Sequence, residues 1–106
     1  MKPSPFEYER PASVAEVCEV LAAREDARII AGGQTLTPML AMRLARPGTL
    51  VDVPSLTELI GIEEAGPHLL IRAATRQVVA LHSDLVARRV PLLARALPFV
   101  GHPPTR

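Results

Sequence analysis

The sequence predicts an α/β fold, α+β overall, in which a small three-stranded parallel sheet is followed by an antiparallel hairpin and short helices. Short β-branched runs alternate with helical patterns in the order β-α-β-α-β over residues 6–53, which is typical of parallel strands joined by right-handed crossovers. After Pro54 two strand-like segments flank a Gly-Pro turn, and helical patterns follow. We therefore expect one subdomain over residues 1–54 and the start of a second over residues 55–106.

The first strand is expected at Phe6-Glu7-Tyr8, before Pro11. A helix follows, because Ser13 and Glu16 have the spacing of a capping box, in which the serine oxygen accepts from a first-turn N–H and the glutamate reaches back. Apolar residues then recur at helical spacing: Val14, Val17, Cys18 and Leu21. This stripe predicts that Cys18 is a small buried hydrophobic residue.

The next strand is expected at Arg28 to Ala31, and it ends at a glycine pair. A second helical pattern starts at Leu36 and extends to Leu44, and Arg46-Pro47-Gly48 is expected to end it. The third strand is then expected at Thr49 to Val53.

Beyond this sheet the sequence predicts a hairpin with strands at Leu59 to Glu63 and His68 to Ala74. Helices are expected at Gln77 to Leu81, after Ser83, and at Pro91 to Phe99.

Size, charge and composition exclude several classes of function. The 106 residues are too few for two full domains, and 12 Lys and Arg against 11 Asp and Glu leave a net charge of +1, so nucleic acid is not an expected partner. No apolar run of about 18 residues and no signal-peptide core are found, which predicts a cytoplasmic protein without membrane insertion. With Phe6, Tyr8 and Phe99 as the only aromatic residues, we expect an aliphatic core.

No catalytic or metal-binding constellation can be read from the sequence. The single cysteine excludes an internal disulfide and any multi-cysteine metal site built by this chain alone. The three histidines lack metal-ligand spacing, and no nucleophile is paired with a base. We therefore expect neither catalytic nor metal-binding residues.

The segment with the most chemical information is Ala31 to Leu36, which lies between the carboxyl end of a predicted parallel strand and the start of a helix. Open α/β sheets bind ligands there. Two glycines allow close approach of the backbone, and free N–H groups with a helix dipole favour a phosphate or pyrophosphate. The segment lacks the lysine of a Walker loop and the glycine spacing of a Rossmann fingerprint, which disfavours ATP and a standard dinucleotide site. From these residues alone, an anion site and a simple tight turn are equally good interpretations.

Further motifs stand in a fixed order along the whole chain. They are Pro5-Phe6-Glu7-Tyr8, Arg10-Pro11-Ala12-Ser13-Val14-Ala15-Glu16, Ala31-Gly32-Gly33-Gln34-Thr35-Leu36-Thr37-Pro38, Arg43-Leu44, Pro47, Leu50-Val51-Asp52-Val53, Leu59-Ile60-Gly61-Ile62, Ala74-Thr75-Arg76, Pro91-Leu92-Leu93, Gly101-His102 and Thr105-Arg106. Together they resemble the FAD-binding medium subunit of the molybdenum hydroxylases, the family of xanthine dehydrogenase and carbon monoxide dehydrogenase. The flavin domain of that family is of the vanillyl-alcohol-oxidase (PCMH) type.

The resemblance implies that residues 1–54 form a first FAD-binding subdomain and that residues 55–106 form an incomplete second one. It identifies the segment from Ala31 to Leu36 as the loop that wraps the FAD pyrophosphate through backbone N–H groups, with Ile30 in the strand leading into it. The cofactor-binding residues that it implies are Ile30, Ala31, Gly32, Gly33, Gln34, Thr35 and Leu36.

The resemblance also implies partners and a role. The partners would be a molybdopterin (large) subunit, which oxidises the substrate, and an iron–sulfur (small) subunit, which carries electrons to FAD. FAD would then pass the electrons to an acceptor, so that the chain belongs to an oxidoreductase.

Two features depart from the family pattern. Most members continue after Thr105-Arg106 with a second glycine segment that contacts FAD, so we expect the chain to be the truncated front part of such a subunit, inactive by itself. The alternative is a non-catalytic remnant or a subunit-interaction fragment that does not bind FAD by itself. In addition, Arg72 stands where the family usually has glycine, and we expect its bulk either to reach solvent or to strain the strand pairing.

Overall fold

The β-α-β-α-β pattern of the first half produces a three-stranded parallel sheet in the computed structural model, which describes residues 1–106. Its strands are β1 (Glu7–Glu9), β2 (Ala27–Ile30) and β3 (Thr49–Asp52), in the order β1-β3-β2. Because β3 lies in the middle, it pairs on both sides, and Leu50 has Tyr8 on one side and Arg28 on the other. The predicted parallel sheet is confirmed.

The helix after β1, α1 (Val14–Ala23), begins at the serine that the sequence indicates. Ser13 Oγ accepts a hydrogen bond of 3.2 Å from the N–H of Glu16. The Glu16 carboxylate in turn accepts from the N–H of Ala12 at 2.8 Å, so the capping interaction closes one residue before Ser13. The predicted cap is therefore confirmed, except that Glu16 accepts from the N–H of Ala12 and not from that of Ser13.

The second helix, α2 (Leu36–Ala41), is shorter than its apolar pattern predicts. The chain leaves the helix at Arg43, which has a left-handed φ of 58°, and the N–H of Leu44 returns to the carbonyl of Met39 at 2.8 Å. A left-handed residue is a common way to end a helix. The predicted end at Arg46-Pro47-Gly48 is therefore wrong, because the backbone turns before the proline is reached.

The second half of the chain contains a hairpin and three short helices. The strands β4 (Ile62–Ala65) and β5 (His68–Ile71) pair antiparallel around Gly66, whose φ of 60° suits a tight turn. The helices are α3 (Gln77–Leu81), α4 (Asp84–Arg89) and α5 (Pro91–Ala96). The hairpin and helices agree with the prediction, although β4 begins three residues later than predicted, β5 ends at Ile71 and not at Ala74, and α5 gives way to a 3-10 turn at Leu97.

Arg72 lies opposite Gly61 beside the hairpin, at an ordinary van der Waals distance. The N–H of Arg72 donates to the carbonyl of Gly61 at 3.0 Å, and a Cβ on Gly61 would lie 3.7 Å from Arg72 Cδ. The guanidinium reaches Glu63 Oε1 at 2.5 Å, and the arginine side chain is 37% exposed. Of the two outcomes expected for Arg72, the structure shows the first, in which the side chain reaches solvent.

The chain divides into two compact units, Met1–Glu58 and Leu59–Arg106, each with its own core. Both cores are aliphatic, as predicted. The buried aliphatic residues of the first unit are Val17, Ala27, Leu40, Leu50, Val51, Val53 and Leu56, and Pro11 and Pro47 are buried as well. Those of the second unit are Ala80, Val86 and Leu97.

The predicted burial of Cys18 is wrong, because its side chain is exposed. Only Val17 is buried on α1. Consecutive helix residues are about 100° apart around the helix axis, so when only Val17 is buried, the next residue, Cys18, faces away from the core.

None of the helices has the length and apolar character that a bilayer span requires.

Candidate functional site

The glycine loop, residues 31–36, leaves β2 at the carboxyl end of the parallel sheet. Ile30, the last residue of β2, pairs with Asp52 at the end of β3, and its carbonyl accepts from the N–H of Val53 at 3.2 Å. The chain then turns away from the sheet into α2. The loop therefore lies at the edge where open α/β sheets bind ligands.

The two glycines of this loop differ in what the fold requires of them. Gly33 has a left-handed φ of 71°, and a Cβ there would lie 2.8 Å from Thr37 Oγ1. Gly32 lies outside that backbone region, and a Cβ there would meet no protein atom within 4 Å. Glycine at position 33 thus serves the turn, whereas the open space over Gly32 leaves its backbone accessible to a ligand.

The N–H groups of the glycine loop have no partners within the protein. The N–H groups of residues 31–36 donate no hydrogen bond to another protein group, and the next one, on Thr37, donates to the carbonyl of Gly33 at 2.9 Å. The side chains of Gln34 and Thr35 are also exposed, and Thr35 makes no capping hydrogen bond. Consecutive free N–H groups are the donors with which loops bind phosphate.

The loop itself carries no charged side chain. No charged residue lies between Arg28 and Arg43 in the sequence. The helix that follows the loop has only six residues, so few aligned peptide dipoles add up at its amino end. The helix-dipole contribution expected from the sequence is therefore small, and the free N–H groups are the main attraction for an anion.

A polar pair lies at the same edge of the sheet. The hydroxyl of Tyr8, on β1, donates a hydrogen bond to Asp52 Oδ2, at the end of β3. This hydrogen bond, with a smaller contribution from burial, raises the pKa of Tyr8, so the phenol is protonated at neutral pH. The sequence analysis did not select either residue, because 44 positions separate them and only the register of β1 beside β3 brings them together.

The polar side chains of the second unit mainly hold turns. Thr75 Oγ1 lies 3.0 Å from both the N and the O of Gly61, where the chain enters the hairpin. The guanidinium of Arg106 donates to the carbonyls of Pro98, Val100 and Gly101 at 2.6 to 3.1 Å. These side chains hold loops in place by hydrogen bonds to the backbone, which is a structural role.

The seven residues predicted to bind a cofactor, 30–36, form one continuous segment from the end of β2 to the first residue of α2. The structure therefore keeps them together at one edge of the sheet. Tyr8 and Asp52 lie at that edge as well, although the sequence analysis missed them.

Comparison with known proteins places this fold in a family. The family model described as "FAD binding domain in molybdopterin dehydrogenase" matches residues 4–106. The nicotine 6-hydroxylase medium subunit of Paenarthrobacter nicotinovorans is 36% identical over 106 residues, which are 100% of this chain and 38% of that protein. The carbon monoxide dehydrogenase medium chain of Hydrogenophaga pseudoflava is 39% identical over 107 residues, covering 100% of this chain and 37% of its own length.

Solved structures agree with the family match. The crystal structure of quinoline 2-oxidoreductase from Pseudomonas putida 86 superposes with a TM-score of 0.94 and 42% identity, over 99% of this chain and 37% of the matched chain. The chain thus spans a little over a third of the length of the relatives that it matches. The family model covers nearly all of its residues, and the parallel sheet, the hairpin and the glycine loop are in place. The chain belongs to the family of FAD-binding domains of molybdopterin dehydrogenases.

Proposed function

We propose that this chain binds FAD and that the glycine loop, with Ile30 leading into it, holds the pyrophosphate. The proposed contacts are with Ile30, Ala31, Gly32, Gly33, Gln34, Thr35 and Leu36. The observation that carries the proposal is the row of free N–H groups beside the open face of Gly32. FAD is the ligand that the family match supports for such a loop.

In this proposal the chain positions the cofactor, and FAD supplies the redox chemistry. The loop N–H groups donate to phosphoryl oxygens, and the absence of a Cβ at Gly32 allows those oxygens to approach the backbone. A loop without charged side chains binds the pyrophosphate by directed hydrogen bonds and not by ion pairs. Such contacts fix the pyrophosphate at the edge of the sheet.

At the level of the complex, we propose that FAD passes electrons from molybdopterin and iron–sulfur centres to an acceptor. The relatives are a medium subunit and a medium chain, which supports large and small subunits as partners. In this arrangement residues 1–54 contribute the first FAD-binding subdomain and residues 55–106 contribute part of the second. A cytoplasmic location stays a prediction from the sequence.

Replacing Gly32 by valine tests the loop assignment. We expect Gly32→Val to weaken FAD binding at least about thirtyfold, roughly 2 kcal/mol, because the side chain occupies the space that the pyrophosphate needs. Gly32→Ala, with a single methyl group, should give a smaller loss. The measurement is a titration of the purified protein with FAD, followed by flavin fluorescence and by retention of the flavin absorption band in gel filtration.

Ala23→Val, at the exposed last residue of α1, is the control, since it places the same valine side chain in the same unit, where the chain leads to the amino end of β2 and not to the loop at its carboxyl end. It should leave FAD affinity unchanged. Gly33 is unsuitable for this test, because its φ of 71° and the contact with Thr37 make any side chain costly to the fold itself. Normal FAD binding by a folded Gly32→Val variant would show that the pyrophosphate lies elsewhere.

A further inference from the structure

Asp52 lies beside Ile30, the residue from which the glycine loop begins. Asp52 pairs with Ile30 across the β2–β3 ladder, and residues paired in this way direct their side chains to the same face of the sheet. On that face, Ile30 Cδ1 lies 3.5 Å from the position that a Cβ of Gly33 would take. Ile30 is thus adjacent both to Asp52, its partner in the ladder, and to Gly33 of the loop.

Asp52 is held in an unusual way for a carboxylate of this sheet. Glu7 and Glu9, on β1, both form ion pairs with Arg24, at 2.5 and 2.9 Å. Asp52 has no ion pair, and its Oδ2 accepts a hydrogen bond from the neutral phenol of Tyr8. Its other oxygen, Oδ1, has no partner in the protein, although the residue is half-buried. The phenol therefore orients the carboxylate without neutralising its charge.

This arrangement favours one kind of ligand group. A carboxylate repels phosphate, so beside a pyrophosphate site Oδ1 can be used only by a group that donates a hydrogen bond. In FAD the pyrophosphate joins a ribose to a ribityl chain, so hydroxyl groups flank it on both sides. An ionised acceptor binds a hydroxyl about twice as strongly as a neutral one does.

We propose that Asp52 accepts a hydrogen bond from a sugar hydroxyl of FAD, and that Tyr8 is a positioning residue that holds Asp52 for this contact. The proposal rests on the assignment of the pyrophosphate to the glycine loop. It makes Asp52 a residue that selects nucleotides carrying sugar hydroxyls over ligands that offer phosphate alone.

The test combines Asp52 variants with FAD analogues. Asp52→Ala should lower FAD affinity about tenfold or more, the loss typical of a hydrogen bond to a charged group. Asp52→Asn keeps an acceptor oxygen and should recover part of the affinity. Two analogues identify the hydroxyl: one carries 2′,3′-dideoxyribose in the adenosine half, and the other has an alkyl chain without hydroxyls in place of ribityl. The analogue that lacks the contacted hydroxyl should bind wild type and Asp52→Ala equally well.

Tyr8→Phe tests the positioning role. It should weaken FAD binding less than Asp52→Ala does, and the double variant should bind no more weakly than Asp52→Ala alone, because Tyr8 acts through Asp52. Glu7→Ala, which removes a paired carboxylate of the same sheet, should leave FAD affinity unchanged. Circular dichroism checks that each variant is folded, and Asp52→Leu, which has similar size and no acceptor, replaces Asp52→Ala if that variant is unfolded.

The inference fails if folded Asp52→Ala binds FAD less than threefold more weakly than wild type does. It also fails if the Asp52→Ala substitution weakens the binding of both analogues as much as it weakens the binding of FAD. In either case Tyr8 and Asp52 only tie β1 to β3. The Gly32→Val series separates this outcome from a failure of the proposed function. FAD binding that depends on Gly32 but not on Asp52 overturns the inference alone, whereas binding that is indifferent to Gly32 overturns the loop assignment.

Discussion

The two units of the molecule stabilise their sheets in different ways. In the first, the central strand β3 is hydrogen-bonded on both sides, and Thr49, Leu50 and Val51 are at most 2% exposed. In the second, β4 and β5 form a two-stranded ribbon in which no residue is fully buried. A two-stranded ribbon has two open edges and depends on packing against other elements for its stability. The glycine loop thus extends from the better-buried sheet, which is a suitable support for a site that must hold a ligand in a fixed position.

Hydrogen exchange provides the most direct test of this difference. We expect the amides of β3 to exchange about a hundredfold more slowly than those of β5, roughly 3 kcal/mol in opening free energy, because the ribbon can open without disrupting a central strand. The measurement is amide exchange followed by NMR or mass spectrometry on the purified protein. Equal protection in the two strands would contradict the comparison.

Two valines that are both 0% exposed allow the cores to be compared by mutation. Val51 lies in β3, and Val86 lies in α4 within the small cluster of the second unit. We expect Val51→Ala to cost about 2.5 kcal/mol and Val86→Ala about 1.5 kcal/mol, since a small cluster lined by partly buried side chains relaxes more easily around the lost methyl groups. Denaturant unfolding measures both, and a larger cost for Val86→Ala would reverse the ranking of the two cores.

The single tyrosine reports on the first unit alone, because the second unit has none. The hydrogen bond to Asp52 raises the pKa of Tyr8, so its absorbance at high pH should titrate with a midpoint above the ordinary value of 10.0. The associated stability is fully present below that ordinary value and is lost as the pH rises through the higher pKa of the folded state. Asp52→Asn should lower the midpoint, and a wild-type midpoint equal to that of a tyrosine peptide would contradict the contact.

Much of the first unit could be predicted from local patterns. The capping serine, the apolar stripes and the β-branched runs each act within a few residues, and they predicted the start of α1 and the bounds of the three parallel strands to within one residue. The end of α2 could not be predicted in the same way, since Arg43 adopts a left-handed conformation although its residue type does not favour one. The exposure of Cys18 was also missed, because periodicity shows which residues share a face and not how much of that face is covered.

The candidate site, too, has features that local sequence patterns predicted and features that they left open. The glycine loop is continuous in sequence, so its residues could be selected from their position between a strand and a helix. The sequence alone left open whether its two glycines serve a turn or a ligand. The structure separates them, because a Cβ would clash at Gly33 and would meet open space at Gly32.

The sequence by itself determined the order of strands and helices, the aliphatic core and the location of the glycine loop, because these follow from residue types within a few positions of one another. Only the tertiary structure decided that β3 lies between β1 and β2, that Tyr8 therefore reaches Asp52, and that the loop N–H groups have no protein partners. Those features depend on strand register and on contacts between distant segments, which form when the chain folds and are not encoded by any local pattern.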